Sequence, residues 1–339
     1  MTEPPAGWKG IVVDVAGGNV GGAARWRAEL EAHLTLSQSS VRQIGRGQYL
    51  TPKWLFQRER LAAQASLVVA SNNMSFVMRG KRRRLLLRNA MHFLGRDESY
   101  LLARMPRSFR NQICLVRAAA IRAHEIVVPS TDMAQRVAAH LPRASDRIFI
   151  RPHPVTPVGP RRSSADSFIL VPVIPGPYKN LFPQIRLLLG AIQRAQLPMK
   201  LMLTALSSQL PSDIAHDPRV STIGVVPHSR LAEIWRSASA AFYPSTVESF
   251  GYPLAEARAY GIPIIAPNRP LAMEIAGPAL AAYDPKCPES LIAAVGKIDS
   301  PLEADPTCFE RDSYFRWLFE TEELCRVPIH GGIQASATQ

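Results

Sequence analysis

Short apolar runs recur along the chain, and most are followed by a stretch whose apolar positions fall at helical spacing. Residues 11–15 (IVVDV) form a β-branched run ending in a glycine cluster, and residues 23–36 then read as a helix through Trp26, Leu30 and Leu34. Further runs over 67–70, 84–87, 126–129 and 147–152 read as strands, being short and bounded by polar or turn residues. A helix is predicted over 131–141, with Ser130 or Thr131 as its N-cap. The pattern breaks at 152–164 (PHPVTPVGPRRSS), a Pro-, Ser- and Arg-rich linker. It then restarts: strands over 168–173, 200–203, 240–243 and 262–266, and helices over 181–195, 231–238 and 253–260. Strands alternating with helices give parallel sheets covered on both faces. Two such series predict an α/β protein of two Rossmann-like doubly wound domains facing one cleft, with ligands at the carboxyl ends of the strands. The expected divisions are 1–157, 158–310, a closing segment 311–327 with a helix over 311–325, and a tail 328–339.

Composition agrees with that picture. A chain of 339 residues suits two domains, and 47% hydrophobic with 20% charged residues is a globular balance. No apolar run approaches the roughly 20 residues that span a bilayer, and the first residues lack the basic-then-apolar order of a secretory signal. Cys114, Cys287, Cys308 and Cys325 are scattered with no C-x-x-C pair, which argues against a zinc site or disulfide framework and suits a reducing cytoplasm.

Charge adds an asymmetry. The net +13 is confined to the first half: residues 1–157 hold 24 Lys and Arg against 10 Asp and Glu, and the remainder 16 against 17. The excess, with the run Arg79-Gly-Lys-Arg-Arg-Arg84, reads either as a solvated basic face or as attraction to a membrane surface or lipid phosphate. Aromatic residues are not interleaved with these charges, so a nucleic-acid partner is not expected.

The segment richest in chemistry is 243–261, YPSTVESFGYPLAEARAYG. It reads as strand, loop and helix, with Pro253 in the first helical turn and Gly261 at the C-terminal stop. Backbone N–H groups at Ser249, Phe250, Gly251 and Tyr252 then point out of a helix N-terminus, a ready anion site. Glu248 precedes that helix and Glu256 lies one turn inside it. Carboxylates beside an anion site accept hydrogen bonds from sugar hydroxyls, and the combination suits a phosphorylated sugar.

Glu248 and Glu256 are the ends of an E-x7-E motif whose context, PSxxESFGxPxxEAxxxGxPIIA, resembles glycosyltransferase family 4, retaining enzymes of the GT-B fold. Residues 224–238 upstream, and 270–277 (PLAMEIAG) with Tyr283-Asp-Pro downstream, extend the likeness. The resemblance implies that Glu248 meets hydroxyls of a donor sugar, that Ser249, Phe250, Gly251 and Tyr252 surround the sugar or its phosphates, and that Glu256 bonds the ribose. The glycine segment 17–25 lacks G-x-G-x-x-G spacing but is similar to the family's GGxxGG, which implies that Gly21 and Gly22 approach the donor phosphates. A tight turn under a packed helix is the other reading. Lys179 and Asn180 stand where the family has Lys-Gly or Lys-Asn, which implies a lysine on the diphosphate; the arginine many relatives carry after the preceding strand is missing from Val171-Pro-Val-Ile. Residues 85–93 (LLLRNAMHF) resemble a segment of a mannosyl- and rhamnosyltransferase-like subgroup and would bring Asn89 and His92 to the cleft; for His92 a purely structural role stays open, and for His153 it is the favoured one.

What the resemblance implies is transfer of a hexose, with retention, from a nucleoside-diphosphate sugar to a hydroxyl of a glycan, lipid-linked or small-molecule acceptor held by the first domain. GDP-hexose is favoured over UDP- or dTDP-sugars. No cofactor and no metal are expected, there being no Asp-x-Asp motif, and the cytoplasm, including the inner face of the plasma membrane, is the expected location. Two alternatives share the architecture: a nucleotide-sugar epimerase and a non-catalytic nucleotide-sugar-binding protein. An NAD-dependent oxidoreductase would need a dinucleotide fingerprint that neither domain has.

Overall fold

The computed structural model describes residues 10–18, 21–37, 40–162, 167–172, 179, 181–298, 302–322 and 324. Each half builds a six-stranded, wholly parallel sheet. The first contains β1 (Ile11–Asp14), β2 (Val41–Ile44), β3 (Leu67–Ala70), β4 (Arg82–Leu86), β5 (Glu125–Val128) and β6 (Ile148–Ile150), in the order β2-β1-β3-β4-β5-β6. The second contains β7 (Phe168–Val171), β8 (Lys200–Leu203), β9 (Val220–Thr222), β10 (Ala240–Phe242), β11 (Ile264–Pro267) and β12 (Leu280–Tyr283), in the order β12-β11-β10-β7-β8-β9. Strand order reverses between β1 and β3 in one sheet and between β7 and β10 in the other. Such switch points open a crevice at the carboxyl ends of the strands.

The helices are α1 (Gly21–Leu36), α2 (Pro52–Leu61), α3 (Arg107–Ile121), α4 (Thr131–His140), α5 (Leu181–Arg194), α6 (Ser212–Ala215), α7 (His228–Ser237), α8 (Tyr252–Tyr260), α9 (Pro270–Ala276), α10 (Pro288–Val295) and α11 (Arg311–Leu318). Caps follow the chemistry of the sequence: Thr51 takes the Trp54 amide at α2, and Ser130 the Met133 amide at α4. Gly251 enters α8 at φ +70°, where a Cβ would lie 2.9 Å from Leu254 Cδ1. Only glycine makes that entry without strain.

Central strands are buried throughout, β1, β3, β5, β7 and β11 at every position, as a parallel sheet covered on both faces requires. At the end of β1 the buried carboxylate of Asp14 accepts from Arg58 (2.7 Å), Asn72 (2.8 Å), Trp54 Nε1 (3.3 Å) and the Ala16 amide (3.0 Å), fixing the chain that turns into the glycine segment.

The last described helix returns to the first domain. Tyr314, Phe315 and Leu318 of α11 join a core with Ile11, Val13, Trp26 and Leu30, and Trp26 Nε1 donates to Tyr314 OH at 3.1 Å. Fully buried Arg84 pairs with Glu125 (2.6 Å) and donates to the carbonyls of Leu318 (2.8 Å), Glu320 and Glu322 (2.8 Å), clamping the chain beyond α11. Glu29 on α1 collects Thr156 N (3.0 Å) and Oγ1 (2.8 Å) from the linker and Arg311 (3.0 Å) from α11, so three segments meet at one carboxylate.

Several boundaries differ from the sequence reading. The expected strand 84–87 is Arg82–Leu86, and the expected helix 311–325 ends at Leu318 where Arg84 takes its carbonyls. The expected strand 168–173 ends at Val171; Val173, Asn180, Cys325 and the tail 328–339 lie outside the described residues. The strand at 41–44 and the helices at 52–61 and 107–121 had no counterpart in the sequence reading.

Candidate active site

Both switch points open onto one cavity of about 860 Å³. The first domain lines it with the chain after β1, the start of α1, Ser71–Asn73 after β3, and Arg88 and Asn89 after β4; the second contributes Lys179, Thr204, His228 and Glu248–Pro253, with Glu256 from α8.

The E-x7-E carboxylates are both in the wall. Glu248 accepts from Ser245 Oγ at 2.8 Å and lies 3.7 Å from Lys179 Nζ. Buried Glu256 faces Arg25 of α1, Oε1 to Nε 3.4 Å, across the domain junction. Burial raises the Glu256 carboxyl above the ordinary carboxylate range, and Arg25 pulls it back down. Arg25 also reaches His228 Nδ1 at 2.5 Å, and burial with Arg25 beside it lowers His228 to about 4. His228 is therefore neutral at pH 7 and can accept from the guanidinium.

Gly21 and Gly22 line the cavity where α1 begins. A Cβ on Gly22 would sit 3.2 Å from the Tyr252 ring, so the two domains approach through that glycine. Ser249 is used differently from the sequence expectation. Its hydroxyl donates to the Arg88 carbonyl (2.7 Å) and its carbonyl accepts from Ser130 Oγ (2.8 Å), both in the first domain. Phe250 is buried edge-on to His153 and Tyr252, with ring centroids 5.1 and 5.0 Å away, so its side chain holds the loop and leaves its backbone to the cavity. Tyr252 stacks on His153 at 5.9 Å.

Asn89 reaches the cavity while its Oδ1 accepts the Met91 amide at 3.0 Å, capping a short 3-10 turn. His92 does not line the cavity. It is buried behind it, stacked on Phe109 at 5.1 Å, and burial with Arg117 nearby lowers its pKa to about 4. The structure thus brings Lys179, Glu248, Asn89, Gly21, Gly22, Glu256 and the 249–252 loop together and leaves His92 in the core. Buried His153 sits at the domain crossing, between Tyr252 and Tyr314.

Sequence reasoning passed over Arg25, Arg88 and His228. Arg25 and Arg88 each sit inside a segment singled out for its neighbours, so the signal was present but unassigned. A further cross-domain contact joins Glu274 of α9 to Thr131 at the start of α4: its carboxylate takes the Thr131 amide (2.9 and 3.0 Å) and Oγ1 (3.0 Å).

Comparison with solved structures places this architecture. WaaG, a glycosyltransferase involved in lipopolysaccharide biosynthesis, superposes with a TM-score of 0.63 at 13% identity, covering 93% of this chain and 96% of that one. Sucrose-phosphate synthase from Thermosynechococcus elongatus gives 0.57 at 17% identity, covering 92% and 95%. Anabaena HepE, solved with UDP and glucose, gives 0.57 at 13% identity, covering 92% and 95%. The fold is GT-B. In sequence, residues 216–304 match the family described as glycosyl transferases group 1, a stretch that contains Glu248, Glu256 and Glu274. No curated protein matches the chain in sequence. At these identities the GT-B neighbours speak for the architecture alone. Among the described residues no cluster of His, Cys, Asp and Glu has metal-ligand geometry, and no helix is long and apolar enough to cross a membrane.

Proposed function

We propose that the chain is a retaining glycosyltransferase that moves a hexose from a nucleoside-diphosphate sugar to an acceptor hydroxyl. The observation that carries this reading is the cavity itself. At the switch point of the second sheet, two carboxylates stand at a helix N-terminus, Glu248 beside Lys179 and Glu256 beside Arg25, and Arg27 and Arg88 line the same cavity. Cations and free amides suit a diphosphate; carboxylates suit hydroxyls. The match of 216–304 to glycosyl transferases group 1 supports the same assignment.

In this reading Glu248 accepts from hydroxyls of the donor sugar and Glu256 from the ribose. Lys179 and the amides that open α8 take up charge as the sugar–phosphate bond breaks. The acceptor hydroxyl attacks from the face the diphosphate leaves, its proton passing to a leaving-phosphate oxygen. The sugar keeps its anomeric configuration, and positioning between the closed domains provides the rate. Neither metal nor cofactor takes part. GDP-hexose is the favoured donor, with UDP- and dTDP-sugars next, and the first domain receives a glycan, lipid-linked or small-molecule acceptor.

Replacing Glu248 with Ala tests this reading by a transfer assay over donor sugars. The account expects transfer to fall by about a hundredfold or more, in the range set by other transition-state contacts. Full activity in Glu248→Ala counts against it. Turnover of the nucleotide sugar without any acceptor favours an epimerase, and binding without turnover a non-catalytic protein.

The acceptor domain also fits docking of this cytoplasmic enzyme on an anionic membrane. Leu115 (60% exposed) and Ile121 (56%) stand on α3 with the exposed Arg107 and Arg110, exposed Arg122 follows at its C-cap, and no acidic residue occurs in that helix. Each basic residue at such a surface contributes about 1 kcal/mol. Sedimentation with phosphatidylglycerol vesicles, and not with phosphatidylcholine vesicles, is the expected result, weakened when Arg107 and Arg110 become Glu.

A further inference from the structure

Among the described residues the four arginines buried outright have carboxylate partners. Arg58 pairs with Asp14 at 2.7 Å, Arg84 with Glu125 at 2.6 Å, Arg25 with Glu256 at 3.4 Å and Arg236 with Glu233 at 3.0 Å. Arg88 differs. Its guanidinium rests over the Trp26 ring, Cζ 5.1 Å from the centroid, and one amino group donates to the Ser71 carbonyl. Nη1 is enclosed and has no partner among the described residues. Among the described residues the titratable groups that act on it are Tyr252, Tyr314, His153 and Arg27, and none of them is anionic at neutral pH.

Two more polar atoms are in the same position. Tyr252 OH and His153 Nε2 are enclosed without partners, on rings that stack on each other, and Arg88, Tyr252 and His153 all line the cavity. Clustered unmet polar atoms mark a place where a water or an ion belongs. A water can answer the hydroxyl and the imidazole, but it does not supply the counter-charge that a half-buried guanidinium lacks.

We infer that Arg88 binds a phosphate oxyanion in the cleft, with the Tyr252 hydroxyl as a second donor. Residues 171–178 of the second domain contain no arginine. The first domain supplies the guanidinium instead, and the Ser249 Oγ bond to the Arg88 carbonyl ties it to the E-x7-E loop. The phosphate is either that of the donor diphosphate or one carried by the acceptor. The first source rests on the nucleotide-sugar reading.

Titration of the full chain separates the sources. Wild type, Arg88→Met and Arg88→Lys are titrated with GDP, UDP and dTDP, with the parent nucleoside of whichever binds, and with inorganic phosphate at saturating nucleoside diphosphate. If the donor is the source, the dissociation constant of the nucleoside diphosphate rises about tenfold or more in Arg88→Met, and less in Arg88→Lys, while that of the nucleoside is unchanged. If the acceptor is the source, nucleotide affinity is kept and the thermal stabilisation that inorganic phosphate gives wild type disappears. In either case unliganded Arg88→Met melts at or above wild type, because an uncompensated cation has gone. Should that variant not fold, Arg88→Lys carries the readout. Variants that bind nucleoside diphosphate within twofold of wild type and respond to phosphate as wild type does overturn the inference. A wild type that binds no nucleoside diphosphate contradicts the transferase reading, and the phosphate arm then decides on Arg88 alone.

Discussion

His92 shows how far a single residue can be read from its neighbours. Its segment resembles one that faces a cleft, yet the ring lies in the core with both nitrogens enclosed and without partners. The sequence signal was a residue type in a matching context; what decides its place is packing against Phe109, invisible along the chain. Burial lowers its folded-state pKa to about 4, below the unfolded value near 6.5. Stability is therefore unaffected by this ring above pH 6.5 and falls as pH drops toward 4, where the unfolded chain takes up the proton and the buried ring does not; the loss is about 2 kcal/mol by pH 5. His92→Phe should keep the stack, leave the transfer rate within about twofold, and flatten the loss of stability between pH 7 and pH 5 in denaturant titrations. A large fall in transfer rate with normal folding would restore His92 to the site.

Among the elements, α4 carries more than its N-cap predicts. Ser130, read from sequence as a possible helix start, caps the helix and also donates to Ser249, while Thr131 meets Glu274. One helix end thus touches the loop before α8 and α9 itself, both in the other domain. Those hydrogen bonds exist only with the domains together. Glu274→Ala should therefore slow transfer about tenfold, a loss of roughly one charge-assisted bond, while nucleotide affinity stays nearly unchanged. Steady-state kinetics beside nucleotide titration would show the split; equal losses in both would place Glu274 on the donor instead. At the other end of the first sheet, Arg84 reads in sequence as part of a basic run, yet it is buried against Glu125 and three carbonyls. Arg84→Met should cost about 3–5 kcal/mol, because Glu125 is left buried with only the partly exposed Arg82 as a cationic partner. Limited proteolysis should then release the segment after α11 first. The buried central strands were legible because a continuous apolar run has one reading in an α/β series. The edge strand β2 (VRQI) was not, since half its positions are polar.

For the whole molecule, alternation of elements and the Pro-rich break were enough to predict two doubly wound domains, since each follows from local composition. The E-x7-E context predicted which end of the second sheet borders the cavity. What no local pattern carries is the pairing across the cleft: Arg25 with Glu256, Ser249 with Arg88 and Ser130, Gly22 against Tyr252. These join residues far apart in sequence, and only closure of one domain on the other brings them together. The central claim is that this junction holds a nucleoside diphosphate. The measurement that tests it most directly is a thermal-shift series with GDP, UDP, dTDP, ADP and NAD on wild type and Glu256→Ala. At a concentration about 100 times its dissociation constant, one nucleoside diphosphate should stabilise the wild type by about 2.7 kcal/mol, and Glu256→Ala should lose most of that gain. Stabilisation by NAD alone, or by none of the five, would contradict the account.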